Sequence, residues 1–490
     1  MISVFLREQK RYTLDDLLEQ FQSTREQAFH LLRRLKEYGV LKIVKANEEQ
    51  KNLTDLVDEG VETIGVEFEE KEYFYVFTFV GVIITNGRVL KCFPKYLLNV
   101  VAPKTELKQV LKVLEKYNSK EQIVRMQNEA EGNSAFNMLA VMLFFLHDYF
   151  ENGLYANSQD VVEINGNGEI LWDKTINGTF AILSQNRPYY TEFLTRKRVN
   201  DDYDFFKRLH ECILTRCTSE LRDADLLDLF DITGVDISDE QIEDFGDKDY
   251  LLDRITKELN IQFNTRKQLL LKTMYAYIVN SDSFGDVYGF SLFGTNRFDS
   301  VWEKVCAEVI GNQLNTIVGD LQLPVPLADS YVTKKGLKLI ELIEKPQWLG
   351  ITTDERQFVK EAKDTLIPDH VSIVNIDGDW QFIILDAKYY NIQLEYDKKL
   401  RGQPGIESIT KQYLYELAYR PFIDAHKIST TKNCFIMPTN SLEIIDKGVV
   451  RLEMMHALKL QDIQIRMLPA EIIYKYYLDG TKMDIRELRL

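Results

Sequence analysis

Histidine and cysteine are scarce in this chain of 490 residues, with six and five copies. The cysteines (Cys92, Cys212, Cys217, Cys306 and Cys434) are scattered, odd in number and never in C-x-x-C spacing. With so few histidines beside them, a zinc cluster is excluded, and free thiols in a reducing cytoplasm are expected. Cations are outnumbered, 60 Lys and Arg against 76 Asp and Glu, for a formal net charge of −16. That balance excludes a protein that grips DNA over its whole surface, because phosphate affinity comes from cations. A local basic groove stays open. Long apolar runs are also missing. The strongest, F-N-M-L-A-V-M-L-F-F-L at 136–146, is too short to span a bilayer and predicts a buried helix. No signal-peptide pattern, internal repeat or low-complexity tract stands out. No G-x-x-x-x-G-K-[ST] segment occurs, so no P-loop is expected.

What is there is an ordinary globular composition, 45% hydrophobic and 28% charged. The length predicts two to four domains. Thr13 can cap a helix through Leu14, Leu17 and Leu18, and Ser23 or Thr24 a second one with the stripe Ala28, Leu31, Leu32 and Leu35. Tyr38-Gly39 ends it and V-L-K-I-V starts a strand, a winged-helix-like order. Arg25, His30, Arg33 and Arg34 would face DNA if the second helix reads a groove. A structural or protein-docking role is the preferred reading, since fold alone does not fix function. Residues 45–62 predict a polar linker. The apolar run 73–85 and R-V-L-K-C-F-P-K-Y flank Asn86-Gly87, a strong hairpin signal. Helices are expected over 104–130 and 131–153, a short β segment over 161–172, and mostly helix over 187–280. From about residue 290 the pattern becomes α/β. A helix is predicted over 297–310, strands over 371–375 and 381–387 with Asp377-Gly378 turning between them, and a helix over 406–420. Strands then follow near 433–437, 448–454 and 463–467, with a last helix near 470–478.

The chemistry concentrates in I-P-D-H-V-S-I-V-N-I-D-G-D-W-Q-F-I-I-L-D-A-K, residues 367–388. Phe382 to Leu385 are apolar on both faces, as in a covered central strand. A carboxylate and an ammonium at its end need a reason, because burying charges is costly unless they are paired or bind metal. The two-residue period puts Asp386 and Lys388 on one side, and the hairpin can bring Asp369 alongside. Two aspartates suit Mg²⁺, with Mn²⁺ as substitute. A lysine beside them can orient water or neutralise charge on a scissile phosphate. Glu303 on the preceding helix is a candidate third acid, and the Ala387 carbonyl completes the candidate ligand set. Gln412 and Tyr415, one turn apart, could position a phosphate or a metal-bound water. The loop of Lys398, Lys399 and Arg401 could close over a DNA backbone, although a solvated charge run is the plainer account.

P-D at 368–369 and D-A-K at 386–388 resemble the PD-(D/E)XK nuclease core, and Glu303 and Gln412-Tyr415 resemble its flanking helices. More narrowly, F-V-G-V-I-I with F-P-K-Y at 79–96, and N-G-N-G-E-I-L-W-D-K-T-I at 165–176, resemble the McrC-like nuclease subunits of LlaJI-type restriction systems. The resemblance covers most of the chain beyond about residue 70. It implies an α/β and α+β multidomain fold. The winged-helix-like segment read from the residues (1–60) departs from the shorter McrC plan and would precede a β-hairpin and helical partner-docking region (61–290). A nuclease domain (291–490) would follow, with a mixed sheet flanked by helices. It also implies a Mg²⁺-dependent endonuclease that acts on DNA when docked on a separate AAA+ GTPase, whose GTP hydrolysis it stimulates in anti-phage defence. Pairing of two nuclease domains is a further expectation, and a membrane role is not expected. Two alternatives stand beside this one: a non-catalytic DNA-binding adaptor built on the N-terminal segment, and a stand-alone repair-type nuclease.

Overall fold

The N-terminal segment forms the two helices that its sequence predicts. The computed structural model describes residues 1–45, 73–118, 138–200, 204–280 and 290–490. Leu14–Phe21 and Arg25–Glu37 are helical, each opened by a reciprocal cap, Thr13 with Asp16 and Thr24 with Gln27. Such boxes satisfy donors that a first turn leaves orphaned. Ala28, Leu31, Leu32 and Leu35 are all buried. Gly39, at φ 69°, turns the chain into strand Leu41–Lys45. That strand pairs antiparallel with Tyr73–Phe77, which takes Arg11–Tyr12 on its other edge. Beyond Lys45, the expected linker lies outside the described residues.

The apolar run 73–85 is two strands. It breaks at Thr78-Phe79, where the Thr78 N–H donates to the Val40 carbonyl at 3.0 Å, and Val80–Thr85 joins a different sheet. Asn86 and Gly87, at φ 50° and 69°, make the predicted turn into Arg88–Phe93. This last strand pairs in parallel with Ile2–Arg7. The helix expected over 104–130 is Lys104–Asn118 in its described part, and the one over 131–153 is Met138–Asn152.

The chain divides into two compact units, one of residues 2–83, 88–125 and 294–490, the other of Met1, 84–87 and 126–293. The second is largely helical, with Met138–Asn152, Phe205–Asp223, Lys248–Ile261 and Thr265–Asn280. Helix was also expected from 187, but Arg187–Tyr190 and Leu194–Asn200 are strands. Gln185 and Asn186, at φ 50° and 61°, close a two-residue hairpin between Ala181–Ser184 and 187–190. The 194–200 strand pairs with Ser158–Ile164 and Glu169–Ile170. Aromatic and β-branched residues in these short runs favour a pleated surface, and the turn chemistry fixes it.

The C-terminal part of the first unit holds a mixed five-stranded sheet, in spatial order His370–Ile376, Asp379–Ala387, Thr430–Thr439, Ile463–Pro469 and Ile445–Val450. The first pair is antiparallel around the predicted Asp377-Gly378 turn, at φ 51° and 94°, and the next two pairings are parallel. Phe382 and Ile384 pack with Tyr415, Tyr419 and Phe422 of helix Ile406–Ala425. Ile383 and Leu385 point the other way and are buried too, so both faces of the strand are covered. Helix Phe298–Ile310 buries its predicted stripe of Phe298, Val301, Trp302, Val305 and Val309. The strand expected at 448–454 stops at Val450, because Arg451 and His456 fold back onto Asp462, at 2.6 and 2.8 Å, through a short helix at Glu453–His456. The fold is thus mixed α/β with several sheets. All five cysteines are buried free thiols. Among the described residues, no helix is long and apolar enough to cross a membrane.

Candidate active site

Asp386 is the penultimate residue of its strand, and Lys388 follows the strand end. Lys388 Nζ lies 3.0 Å from Asp386 Oδ1, as the two-residue period predicts. Asp386 is only 4% exposed. In the antiparallel register His370 faces Leu385, which sets Asp369 opposite Asp386. Asp369 Oδ2 accepts the Ala387 N–H at 3.1 Å, and the Asp369 carbonyl accepts from Asn312 Nδ2 at 2.7 Å. The sequence therefore brings both aspartates and the lysine to one strand end.

Their electrostatics are strained. Burial, a hydrogen bond to Asp386 and the charges of Asp386 and Glu303 hold the Asp369 carboxyl far above the usual carboxylate range, against the pull of Lys388. A carboxylate so close at hand disfavours ionisation of the Asp369 carboxyl. Burial disfavours the Lys388 ammonium, yet Asp386, Asp369 and Glu303 together raise its pKa. Glu303 is half-buried and raised as well, first by burial, then by Asp299 and Asp386, with Lys388 and Arg297 opposing. Among the described residues, no three or more His, Cys, Asp or Glu side chains are arranged to hold a metal ion. Asp369 and Asp386 make a pair, and Glu303 acts on Asp369 through its charge.

Gln412 and Tyr415 brace the strand ends. Gln412 is fully buried; its Nε2 donates to the Ile384 carbonyl at 3.2 Å, and its Oε1 has no partner among the described residues. The Tyr415 hydroxyl donates to the Ile367 carbonyl at 3.0 Å, just before Pro368-Asp369. Glu303, Ala387 and Lys388 line a groove of about 1480 Å³. Lys398 and Arg401 line it too, with Lys398 paired to Glu395. Arg25, His30, Arg33 and Arg34 of the second N-terminal helix are not among its lining residues.

Sequence reasoning missed the residues that follow Lys388. The Tyr389 hydroxyl donates to Glu8 Oε2 at 2.6 Å, and the Lys95 N–H reaches both Glu8 Oε2 (3.3 Å) and the Tyr389 oxygen (3.2 Å). Lys95 Nζ sits 4.4 Å from the centroid of the Tyr389 ring. The Phe298 ring, on the helix that carries Glu303, lies 5.2 Å from the same ring. Lys95 belongs to F-P-K-Y, so the motif packs directly behind the candidate lysine. The only signal for Glu8 was an acid closing an apolar strand.

Comparisons with known proteins give the chain's relatives. The family model described as LlaJI restriction endonuclease matches residues 79–471. The Type II restriction enzyme BsuMI component YdjA of Bacillus subtilis (strain 168) is 28% identical over 439 residues, 86% of this chain and 85% of that protein. Among solved structures, a half-complex of Thermococcus gammatolerans McrB AAA+ hexamers with bound McrC is similar over 98% of this chain and 99% of that chain, at 11% identity and a TM-score of 0.33. The McrBC complex of the same organism is similar over 62% of this chain and 85% of that chain, at 12% identity and a TM-score of 0.26.

Proposed function

The chain belongs to the LlaJI restriction endonuclease family, and we propose that it is the DNA-cutting subunit of a restriction complex, with a PD-(D/E)XK nuclease domain over 291–490. The observation that carries this reading is the buried meeting of Asp369, Asp386 and Lys388 at one strand end. Asp369, Asp386 and the Ala387 carbonyl would hold Mg²⁺ or Mn²⁺, with Glu303 as an outer acid. The donor set fits: all ligands are hard oxygens, and Mg²⁺ needs only one or two protein carboxylates. Carboxyls crowded until one keeps its proton are also the charge imbalance that a divalent cation relieves. A bound ion of this kind supplies Lewis-acid stabilisation and a more acidic water.

The chain's own residues do the rest. Lys388 stays cationic beside Asp386 and can neutralise charge growing on a phosphate oxygen or orient the attacking water. Gln412 and Tyr415 fix the backbone on either side, holding the two aspartates in register. The unpartnered Gln412 Oε1 is the kind of acceptor that an ordered water satisfies.

A separate AAA+ GTPase partner, docked through residues 61–290, is the second half of the proposal. The sequence has no P-loop to drive such a reaction alone. The test is reconstitution of the full chain with an AAA+ GTPase of the McrB kind from the same genome. GTP- and Mg²⁺-dependent cleavage of DNA is expected. Asp386→Ala should abolish cutting and leave complex assembly intact; full cleavage by that variant would overturn the assignment.

A further inference from the structure

The groove at the candidate active site does not end at the nuclease sheet. Its lining runs from Glu303, Ala387 and Lys388 to Lys10, Gln20 and Lys42 of the N-terminal module, all within one compact unit. Eight lysines and arginines line it against four aspartates and glutamates, in a chain whose net charge is −16. The acids are largely occupied: Asp299 is clamped to Arg297, Glu395 to Lys398, and Glu8 to the Tyr389 hydroxyl. Lys10, Lys42 and Arg401, by contrast, have no carboxylate partner among the described residues. Cations concentrated in a concave site on an acidic protein focus the field on a polyanion.

The walls of the groove are also fixed to each other. Glu8 ends the first strand's segment, Tyr389 follows Lys388, and Lys95 closes the triangle between them. Asn391 Nδ2 adds a bond to the Lys95 carbonyl at 3.2 Å. The N-terminal module is therefore bound to the strand end that carries the candidate lysine.

We propose that this groove holds double-stranded DNA, with Lys10 and Lys42 of the N-terminal module gripping backbone phosphates of the duplex presented to Lys388. The module then acts through its strand side, and the second helix, with Arg25 and Arg33, faces away from the substrate path. The proposal rests on the nuclease reading for its substrate, but its test does not need cleavage.

The test is duplex binding by the full chain carrying Asp386→Asn, followed by fluorescence anisotropy at salt from about 50 to 200 mM. Adding Lys10→Glu with Lys42→Glu should weaken binding roughly tenfold or more and lower the slope of log K against log salt by about two. Lys42→Ala alone should lower it by about one. Arg25→Glu with Arg33→Glu should leave affinity and slope unchanged. The proposal is overturned if the helix pair of substitutions weakens binding and the Lys10/Lys42 pair does not, or if the full chain binds no duplex at the lowest salt. Metal-dependent cutting by the unsubstituted chain reconstituted with an AAA+ GTPase partner and GTP is scored separately: its absence, with groove-dependent binding intact, sinks the nuclease reading and leaves the groove standing.

Discussion

The strand hairpin at 370–387 and the helix pair at 14–37 carry their charges in opposite ways. In the hairpin, Asp386 is buried, Asp369 is crowded against it, and Lys388 is drawn in beside both. On the second helix, Arg33 and Glu37 pair at 3.6 Å with side chains 65% and 64% exposed. Water solvates the second pair whatever the protein does. The first arrangement costs folding free energy, since crowded buried carboxyls disfavour ionisation, and it needs a compensating role. A buried cluster of charge therefore points to chemistry where an exposed row of cations does not.

The largest effects should come from the crowded site. Lys388→Ala should reduce cleavage by about 10²- to 10³-fold, the scale of losing one preorganised electrostatic partner. Binding of duplex to the full chain should fall far less, so the loss appears in single-turnover rates. Millimolar Mg²⁺ should raise the Tm of the unsubstituted chain and leave that of Asp386→Asn unchanged, while Asp386→Asn alone should melt no lower than the parent. A variant that melts much lower would mean that the acids are structural and would break the comparison.

Tyr389→Phe comes next. It keeps the ring tilted against Phe298 but takes the hydroxyl from Glu8. A buried acceptor short of its donor costs about 1–3 kcal/mol, readable by urea denaturation. If Tyr389 also positions Lys388, the single-turnover rate falls while the affinity for duplex holds.

Burial without crowding should behave differently, and His210 in the helical unit tests that. Its ring is buried, Nδ1 accepts the Tyr155 N–H at 3.0 Å, and burial lowers its pKa to about 4, with Arg266 lowering it further and Asp148 opposing. A base depressed in the folded state contributes stability that is complete above its unfolded pKa of about 6.5. That stability drains as pH falls towards about 4, to a total of roughly 3 kcal/mol. Denaturation at a series of pH values should show this slope, and His210→Gln should flatten it without changing cleavage at neutral pH.

The same contrast explains what was legible in the sequence. Period-two spacing placed Asp386 with Lys388, and the Asp-Gly turn fixed the register that brings Asp369 opposite. Caps and the leucine stripe placed both N-terminal helices. These signals are local. The strands at 187–200 were obscured because short β segments in a polar stretch depend on partners, Ala181–Ser184 for the first and residues 158–170 for the second. The Glu8, Lys95 and Tyr389 triangle joins residues up to 381 positions apart, and no local period encodes such a meeting. The groove that reaches Lys42 is hidden for the same reason.

The smallest effect belongs to the exposed pair. Arg33→Ala removes an i,i+4 ion pair that both partners hold in water, so stability should change by no more than about 0.5 kcal/mol. Raising salt should erase even that, because screening acts fully on solvated charges. Duplex binding should not move either, since Arg33 does not line the groove. A large loss of DNA affinity in Arg33→Ala would put the second helix in a DNA groove after all, and an exposed row of cations would then matter as much as a buried cluster.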